Sequence, residues 1–317
     1  MSAQRDLDLL VLGDVNPDLV LSDPSLDVVF GQAETLVERA ELTIGGSGAI
    51  MACAAARLGL RTALAGLVGD DQFGAFMREA VAGRGVVVSG VVVDPGVHTG
   101  LTVVLARPGD RAILTFPGAI AAMTADRVDR TLLARARHVH ISSFYLQTGL
   151  VAGLPALLRA VRAGGATTSV DPNWDPSSEW DGGLRDLLGE IDVLVPNEVE
   201  ACRIGGVDNV ERAAHALAQH GPLVAVKLGA DGALAVPAGG GAAVRAQPPP
   251  GLPEPVDAVG AGDTFDAGLL TGLLAGEPLL DALALACACG ALSLRGAGGT
   301  AGQPTLDEAM ASRRGGS

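Results

Sequence analysis

DAVGAGDTFDAG, residues 257–268, is the stretch of this chain that decides the fold we expect. Gly260, Ala261 and Gly262 are small enough for their backbone to approach a ligand closely, and the apolar residues after them predict a helix. A glycine turn before a helix presents unpaired N–H groups and the positive end of the helix dipole. The stretch therefore predicts an anion-binding turn with Asp263 at its rim, where a carboxylate can accept a proton from a hydroxyl. Capping of the helix is the alternative role for Asp263.

The residues before this turn alternate between short Val/Leu-rich runs and longer Ala/Leu-rich periodic segments. That alternation predicts a mostly parallel sheet covered by helices. We expect buried strands at residues 7–15, 63–68, 138–142, 167–171, 193–196 and 224–228, and helices at residues 49–58, 151–163, 183–188, 199–204, 210–219 and 264–274.

Two stretches interrupt the alternation. Residues 19–44 hold extended pieces with little core, and residues 100–116 predict a hairpin joined by Pro108-Gly109-Asp110. We expect these parts, about 19–44 and 97–117, to form a small β lid on a single domain that spans residues 1–317. An exposed edge strand in such a lid favours a homodimer.

Bulk composition excludes several classes of protein. A net charge of -14 argues against nucleic acid as the main partner, because phosphate backbones need a basic surface. Mean hydropathy is +0.36, yet no apolar stretch reaches membrane-spanning length without Gly, Pro or charge, so we expect no membrane partner. The N-terminal residues lack the apolar core of a signal peptide, and a cytoplasmic location is expected.

A second glycine stretch, GGSGA at residues 45–49, precedes the 257–268 stretch in the chain. With both in this order, the chain resembles the ribokinase family of carbohydrate kinases, also called the PfkB family, from Gly13 to about Thr305. The resemblance implies a ribokinase-like three-layer α/β/α fold with a small β lid. It also implies phosphoryl transfer from ATP to a hydroxyl of a small sugar or sugar-like acceptor, with Asp263 as the base and the 260–262 backbone as the anion hole.

The resemblance extends to acceptor-binding positions. Asp18 stands where the family has an aspartate that binds sugar hydroxyls, a task that suits a carboxylate because it accepts two hydrogen bonds. A turn aspartate is the alternative. The full set implied for the acceptor is Asn16, Asp18, Gly45, Gly46 and Ser47.

Nucleotide and metal positions follow in the same way. Asn197 and Glu200 resemble the family's NxxE motif, which organises Mg²⁺ and phosphates, often through water; helix capping by Asn197 is compatible with that role. Asp171 and Asn173 resemble positions near the active cleft. The residues implied for ATP are Asn197, Lys227 (where a Thr is common), Gly229, Asp231, Gly232 and Cys287. A K⁺ site is implied at Asp257, Val259 and Thr305.

Two departures from the family pattern concern the acceptor. Ile50 stands where the family often has an Asn that contacts the sugar, and Ser142-Ser143-Phe144-Tyr145 replaces a segment that carries a Glu in ribokinases. A site built for hydroxyls discriminates strongly, since an unpaired buried polar group costs roughly 1–3 kcal/mol. These departures argue against ribose and leave the kinase chemistry unchanged.

Three other functions are alternatives to a sugar kinase. A nucleoside kinase of the same fold is the alternative, and a non-catalytic sensor is disfavoured by the presence of Asp263, Asn197 and Glu200. A nicotinamide-dependent oxidoreductase is disfavoured because Met51 replaces the third glycine of GxGxxG. The cations near the lid are few, which favours an unphosphorylated acceptor; they are Arg39, Arg107 and Arg111.

Overall fold

Short runs of Val, Leu and Ala form the strands of the protein. The computed structural model describes residues 5–107, 110–252 and 254–314. The strands are β1 (Leu7–Leu12), β2 (Asn16–Ser22), β3 (Arg39–Gly45), β4 (Thr62–Gly69), β5 (Val87–Asp94), β6 (Leu101–Arg107), β7 (Asp110–Phe116), β8 (Ala136–Ile141), β9 (Thr167–Val170), β10 (Val193–Leu194), β11 (Leu223–Lys227), β12 (Ala233–Val236) and β13 (Val244–Ala246).

Nine of these strands form one large sheet in the order β13-β12-β11-β10-β9-β8-β1-β4-β5. The strands from β11 to β5 pair in parallel, and β12 near one edge pairs antiparallel with both β11 and β13. The predicted mostly parallel sheet is confirmed. Because the carboxyl ends of parallel strands meet at one edge of a sheet, the loops after them share that edge.

Helices cover both faces of the large sheet. They are α1 (Ser47–Arg57), α2 (Gln72–Ala82), α3 (Ala119–Ala122), α4 (Arg130–Arg135), α5 (Thr148–Val151), α6 (Leu154–Ala163), α7 (Leu184–Leu187), α8 (Glu198–Gly205), α9 (Val210–Ala218), α10 (Ala261–Ala275), α11 (Leu279–Ser293), α12 (Gly298–Ala301) and α13 (Leu306–Arg314). The helix predicted at 151–163 is divided into α5 and α6, since Gly153 and the Pro after Leu154 start a new helix there.

Alternate residues of β1 bury against opposite helix layers. Leu10 and Leu12 pack in the core beneath α6 and α9, whereas Leu9 and Val11 pack beneath α1, α10 and α11. This is the period-2 alternation of a strand that is covered on both faces. The three-layer α/β/α architecture is therefore confirmed.

A second sheet of four strands, in the order β3-β2-β6-β7, forms the lid. β6 and β7 pair antiparallel, as the predicted hairpin requires, although its turn residues Pro108 and Gly109 lie outside the described residues. β2 begins at Asn16, so the lid takes in residues closer to β1 than the predicted start at 19. The chain passes directly from the end of β1 into the lid.

The two faces of the lid differ in chemistry, because side chains alternate along each strand. One face carries an apolar row in register across the sheet, formed by Leu42, Leu19, Val103 and Leu114. The neighbouring row on the other face is polar, formed by Thr43, Asp18, Thr102 and Thr115. In the described part of the chain, no helix is long and apolar enough to cross a membrane.

Candidate active site

Polar side chains collect at the carboxyl edge of the large sheet. Asp14 follows β1, Asp171 and Asn173 follow β9, Asn197 follows β10, and Lys227 ends β11. The fold places these residues together because open α/β sheets present the loops after their parallel strands on one side. This edge is where such sheets bind ligands.

Asp14 fixes the start of α1 against the end of β1. Its carboxylate accepts hydrogen bonds from the backbone N–H groups of Ser47 (3.1 Å) and Gly48 (2.7 Å). A Cβ on Gly48 would lie 2.6 Å from Gly13 Cα, so only glycine permits this approach. The GGSGA stretch is thus held at the mouth of the cleft. Our sequence reasoning assigned no role to Asp14.

The five residues predicted for the acceptor lie together. Asn16 Nδ2 donates to Thr102 Oγ1 (3.1 Å), and its buried Oδ1 has no hydrogen-bond partner among the described residues. Asp18 is buried against Gly45, where any Cβ would collide with the Asp18 carboxylate. Burial raises the pKa of Asp18 to about 7. Buried polar atoms without protein partners suit hydroxyl ligands.

The turn before α10 has the geometry of an anion site. Gly260 has φ 75°, and no side chain caps the helix start at Ala261. A Cβ on Gly260 would lie 2.8 Å from Gly299 Cα and 2.9 Å from Ile50 Cγ2. Ile50, which replaces the family Asn, therefore packs behind the turn. The uncapped N–H groups and the helix dipole remain for an anion.

Asp263 lies in the first turn of α10 and is 8% exposed. Burial raises its pKa to about 8, and the negative charges of Asp171 and Asp14 act in the same direction. Lys227 and the Ser47 hydroxyl oppose the rise. An ionised carboxylate with a raised pKa is a stronger base than an exposed aspartate, and a general base works best with a pKa near the operating pH.

Lys227 forms a buried ion cluster beneath the anion turn. Its Nζ lies 3.0 Å from Asp171 Oδ2 and 3.3 Å from Asp266 Oδ1, and the three side chains are 13%, 6% and 1% exposed. A Cβ on Gly262 would lie 3.6 Å from this Nζ. Burial opposes ionisation of Asp171, but the Lys227 ammonium holds its pKa below the usual range. Burial also raises the pKa of Asp266 well above the usual range.

The remaining residues of the predicted nucleotide loop follow Lys227. Residues Gly229–Asp231 form a 3₁₀ turn, and Gly232 has φ 80°. A Cβ on Gly232 would lie 2.9 Å from Gln247 Cα, which explains the glycine. The buried thiol of Cys287 faces the Ala246 carbonyl at 3.8 Å, and burial raises its pKa to about 12. Contacts of these residues with ATP stay a prediction.

Asn197 and Glu200 form a capping box at the start of α8. Asn197 Oδ1 accepts from the Glu200 backbone N–H (3.0 Å), and Glu200 Oε2 accepts from the Asn197 backbone N–H (2.9 Å). Burial and the Asp171 charge raise the pKa of Glu200 to about 7. The capping role is therefore real, and the Mg²⁺ role stays a prediction.

Two of the three residues predicted for K⁺ share one loop. Asp257 Oδ1 accepts from the Val259 N–H (3.0 Å), and its Oδ2 accepts from the Gly298 N–H (2.8 Å). Thr305 instead pairs with Glu308 at the start of α13, where its N–H donates to Glu308 Oε2 (2.8 Å). The structure thus adds the Gly298 loop, which sequence reasoning missed, to the surroundings of Asp257.

Tyr145 packs in an aromatic cluster. Its ring lies edge-on to Phe144 (5.2 Å between centroids) and to Trp180 (6.0 Å). Trp180 in turn packs edge-on against Trp174, whose side chain is largely exposed. Packing is the observed role of Tyr145.

Asp266 is the other residue to which the sequence assigned no role. It stands three positions after Asp263, on the same side of α10. The sequence does show a charged residue inside an otherwise apolar helix. That pattern predicts a partner for Asp266, because an aspartate is almost never fully buried unless it is paired. Its partner, 39 positions away at Lys227, could not be read from the sequence.

A doubly covered parallel sheet, a β lid, and a buried carboxyl at a glycine-capped helix start are the features that the sequence predicted for a kinase of small molecules. The model of the pfkB family carbohydrate kinases matches residues 6–306 of the chain. The chain belongs to this family and is an ATP-dependent sugar kinase.

Relatives and solved structures agree with that assignment. The ATP-dependent ribose-1-phosphate kinase of Halopiger xanaduensis is 32% identical over 96% of this chain and 97% of its own. The ribokinase of Haemophilus influenzae is 28% identical over 95% and 97% of the two chains. A putative ribokinase II from E. coli, in complex with ATP and Mg²⁺, superposes with a TM-score of 0.84 at 26% identity, over 97% of this chain and 99% of its own.

Replacing Lys227 by Met tests the ion cluster. The substitution keeps an unbranched side chain but leaves Asp171 and Asp266 buried without a cation. We expect a loss of about 3–5 kcal/mol in the free energy of unfolding, measured by urea denaturation at neutral pH. The matched control is Arg245→Met, whose pair with Glu211 is about half exposed and contributes less than about 1 kcal/mol. Equal losses in the two variants would contradict this description.

Replacing Asp263 by Asn tests the raised pKa of its carboxyl. The folded pKa of about 8 lies above the ordinary value of 3.8, so between these two pH values the folded carboxyl keeps a proton that the unfolded one has lost. Stability of the wild type therefore falls as pH rises through this window. We expect the Tm of Asp263→Asn to exceed that of the wild type, by a margin that grows from pH 5 to pH 8. A margin independent of pH would refute the raised pKa.

Proposed function

We propose that the chain transfers the γ-phosphoryl group of ATP to a hydroxyl of a small sugar or sugar-like acceptor, with Asp263 as the general base. One observation carries this proposal: the buried Asp263 carboxyl lies in the first turn of a helix whose start has no side-chain cap. A base and an anion site are thereby fixed within the same turn of backbone. Phosphoryl transfer needs that combination, since its catalysis depends mainly on positioning and charge stabilisation.

The proposed reaction is a single phosphoryl transfer from ATP to the acceptor hydroxyl. The acceptor hydroxyl oxygen forms a bond to the γ-phosphorus, and the bond from that phosphorus to the β,γ-bridging oxygen breaks, leaving its electron pair on ADP. Asp263 takes the hydroxyl proton. The N–H groups after Gly260 donate to the oxygens of the transferred group while its charge is redistributed.

The lid side of the cleft holds the acceptor. Asn16 Oδ1 is buried without a partner, and the Asp18 carboxylate is buried beside it. Both accept hydrogen bonds, so together they fit the vicinal hydroxyls of a sugar. Closure of the lid over these groups excludes water, which limits hydrolysis of ATP.

Magnesium and nucleotide occupy the opposite side in this proposal. Asn197 and Glu200 offer the oxygen donors that Mg²⁺ prefers, and because the capping box engages both, they fit a hydrated ion held through water. Mg²⁺ held there would supply positive charge that offsets the charge of the phosphates. Lys227, Gly229, Asp231, Gly232 and Cys287 would contact ATP, and the loop of Asp257 and Val259 would hold K⁺.

A nucleoside is the second candidate acceptor. Trp174 directly follows Asn173, and the Trp174 side chain is 55% exposed. Asn173 Nδ2 in turn donates to Ser47 Oγ at 3.0 Å. An exposed indole beside the acceptor residues can stack on a nucleobase. Nucleosides therefore belong in any acceptor screen.

The assignment of the base is tested by turnover of Asp263→Asn in a coupled ADP-release assay against sugars, sugar phosphates and nucleosides. We expect a loss of at least about 10²-fold in kcat, with ATP binding retained by calorimetry, because only proton removal is lost. A near-normal rate would end the assignment. The same assay in Tris buffer without Na⁺ tests the ion site: added K⁺ should raise the rate, and no response removes K⁺ from the proposal.

We also propose a homodimer through the apolar face of the lid. Leu42 and Leu114, in register across that face, are 41% and 60% exposed, and exposed apolar patches mark interaction sites. We expect light scattering to show a dimer for the wild type and a shift toward monomer for Leu114→Asp. Leu280→Asp, at an exposed position of α11 away from the lid, should stay dimeric. A monomeric wild type would rule the dimer out.

A further inference from the structure

A cavity lies between the lid and the loop that precedes α10. Its volume is about 570 Å³, within the range of small-molecule sites. The lid contributes Thr43, next to Asp18 in the sheet, and the body contributes Asp257, Val259 and Gly298. Thr43 of the cavity lining therefore lies beside Asp18, a residue of the acceptor site proposed above. All three arginines near the lid, Arg39, Arg107 and Arg111, line it.

Strand register places two of these arginines on the acceptor face of the lid. Ser22 of β2 lies opposite Arg39 of β3 and opposite Ala106 of β6, and Ala106 lies opposite Arg111 of β7. These residues form one row across the sheet. Because Asp18 precedes Ser22 by four residues on β2, it projects from the same face.

The distance between the two ends of this face suits an elongated acceptor. Four residues of strand span about 13 Å, and long arginine side chains cover part of that gap. Hydroxyl-binding groups lie at the Asp18 end, Glu41 lies between, and the cations lie at the far end. A ligand matching this order has hydroxyls at one end and a negative charge at the other.

The three arginines differ in the ion pairs and hydrogen bonds that their guanidinium groups make with the protein. Arg107 donates to Asp110 Oδ2 at 3.0 Å, so its charge is compensated. Arg111 Nη1 lies 4.0 Å from Asp257 Oδ1, beyond hydrogen-bond distance. Within the described residues, Arg39 makes no ion pair or side-chain hydrogen bond. Arg39 is thus unpaired among the described residues, and Arg111 is held only by its long ion pair with Asp257, on a protein with net charge -14.

We propose that the acceptor is a phosphorylated sugar whose phosphate lies between Arg39 and Arg111 and whose free hydroxyl faces Asp263. This rests on the proposed function, because it concerns the acceptor of the same reaction. Guanidinium groups bind phosphate oxygens in a bidentate manner, and two of them match its two negative charges. The small number of cations in the sequence favoured an unphosphorylated acceptor; their location at one cavity on the acceptor face changes that expectation.

Matched acceptor pairs test the proposal. ADP release would be measured with ribose against ribose 1-phosphate and ribose 5-phosphate, fructose against fructose 6-phosphate, and gluconate as a carboxylate. We expect kcat/KM to be at least about 10-fold higher for a phosphorylated member, as loss of one charged hydrogen bond implies. Preference for the neutral sugar overturns the phosphate subsite while the kinase stands, and preference for gluconate overturns phosphate as the anion. Failure of every acceptor overturns both proposals.

Arginine variants show which residues hold the phosphate. Arg39→Gln and Arg111→Gln should each raise KM for the phosphorylated acceptor by about 10-fold or more, with kcat and the KM of its neutral counterpart changed less than about twofold. Arg245→Gln is the control, since its guanidinium is paired with Glu211 and does not line the cavity, and it should change neither KM. Equal effects on charged and neutral acceptors would show that Arg39 and Arg111 only support the lid, which refutes the proposal.

Discussion

The buried pairing of Lys227 with Asp171 and Asp266 is the interaction on which the active site depends. It joins the end of β11, the loop after β9 and the first turns of α10, three parts of the chain that are distant in sequence. Without a cation, the acidic groups that meet at this edge would repel one another in a place that water reaches poorly. With it, the helix that carries Asp263 has a fixed position relative to the sheet.

That arrangement supports the proposal that one site holds both a base and an anion. Asp263 is buried near other acids, which raise its pKa, yet in the proposed function the turn beside it must attract negative phosphate. The backbone allows both a raised carboxyl pKa and attraction of an anion, since the N–H groups at a helix start carry partial positive charge without a charged side chain. Small residues at 260–262 are therefore required twice, for the approach of the ligand and for packing against Gly299 and Ile50.

Sequence reasoning recovered what is encoded locally. Hydrophobic periodicity gave the parallel sheet and its helices, and turn residues gave the β6–β7 hairpin. It missed what depends on distant partners: Asp14 at the start of α1, Asp266 facing Lys227, and Gly298 beside Asp257. Lys227 shows the limit most clearly, because its position predicted contact with phosphates and only the fold shows the two carboxylates that already hold it. The neighbours of a side chain across a sheet edge depend on the fold, so the segment that carries the side chain does not predict them.

In the lid, a single register of the four strands determines which residues lie on each of its two faces. On β2, Asp18 projects toward the acceptor and Leu19 toward the outside, and the same alternation runs through β3, β6 and β7. A slip of one residue would turn the apolar row into the cleft and expose the polar row. The buried Asp18 carboxylate, fitted against Gly45, resists such a slip, since no other residue at 45 leaves room for it. The residue proposed to recognise hydroxyls is therefore also the one that fixes which face of the lid meets the acceptor and which remains apolar and outward.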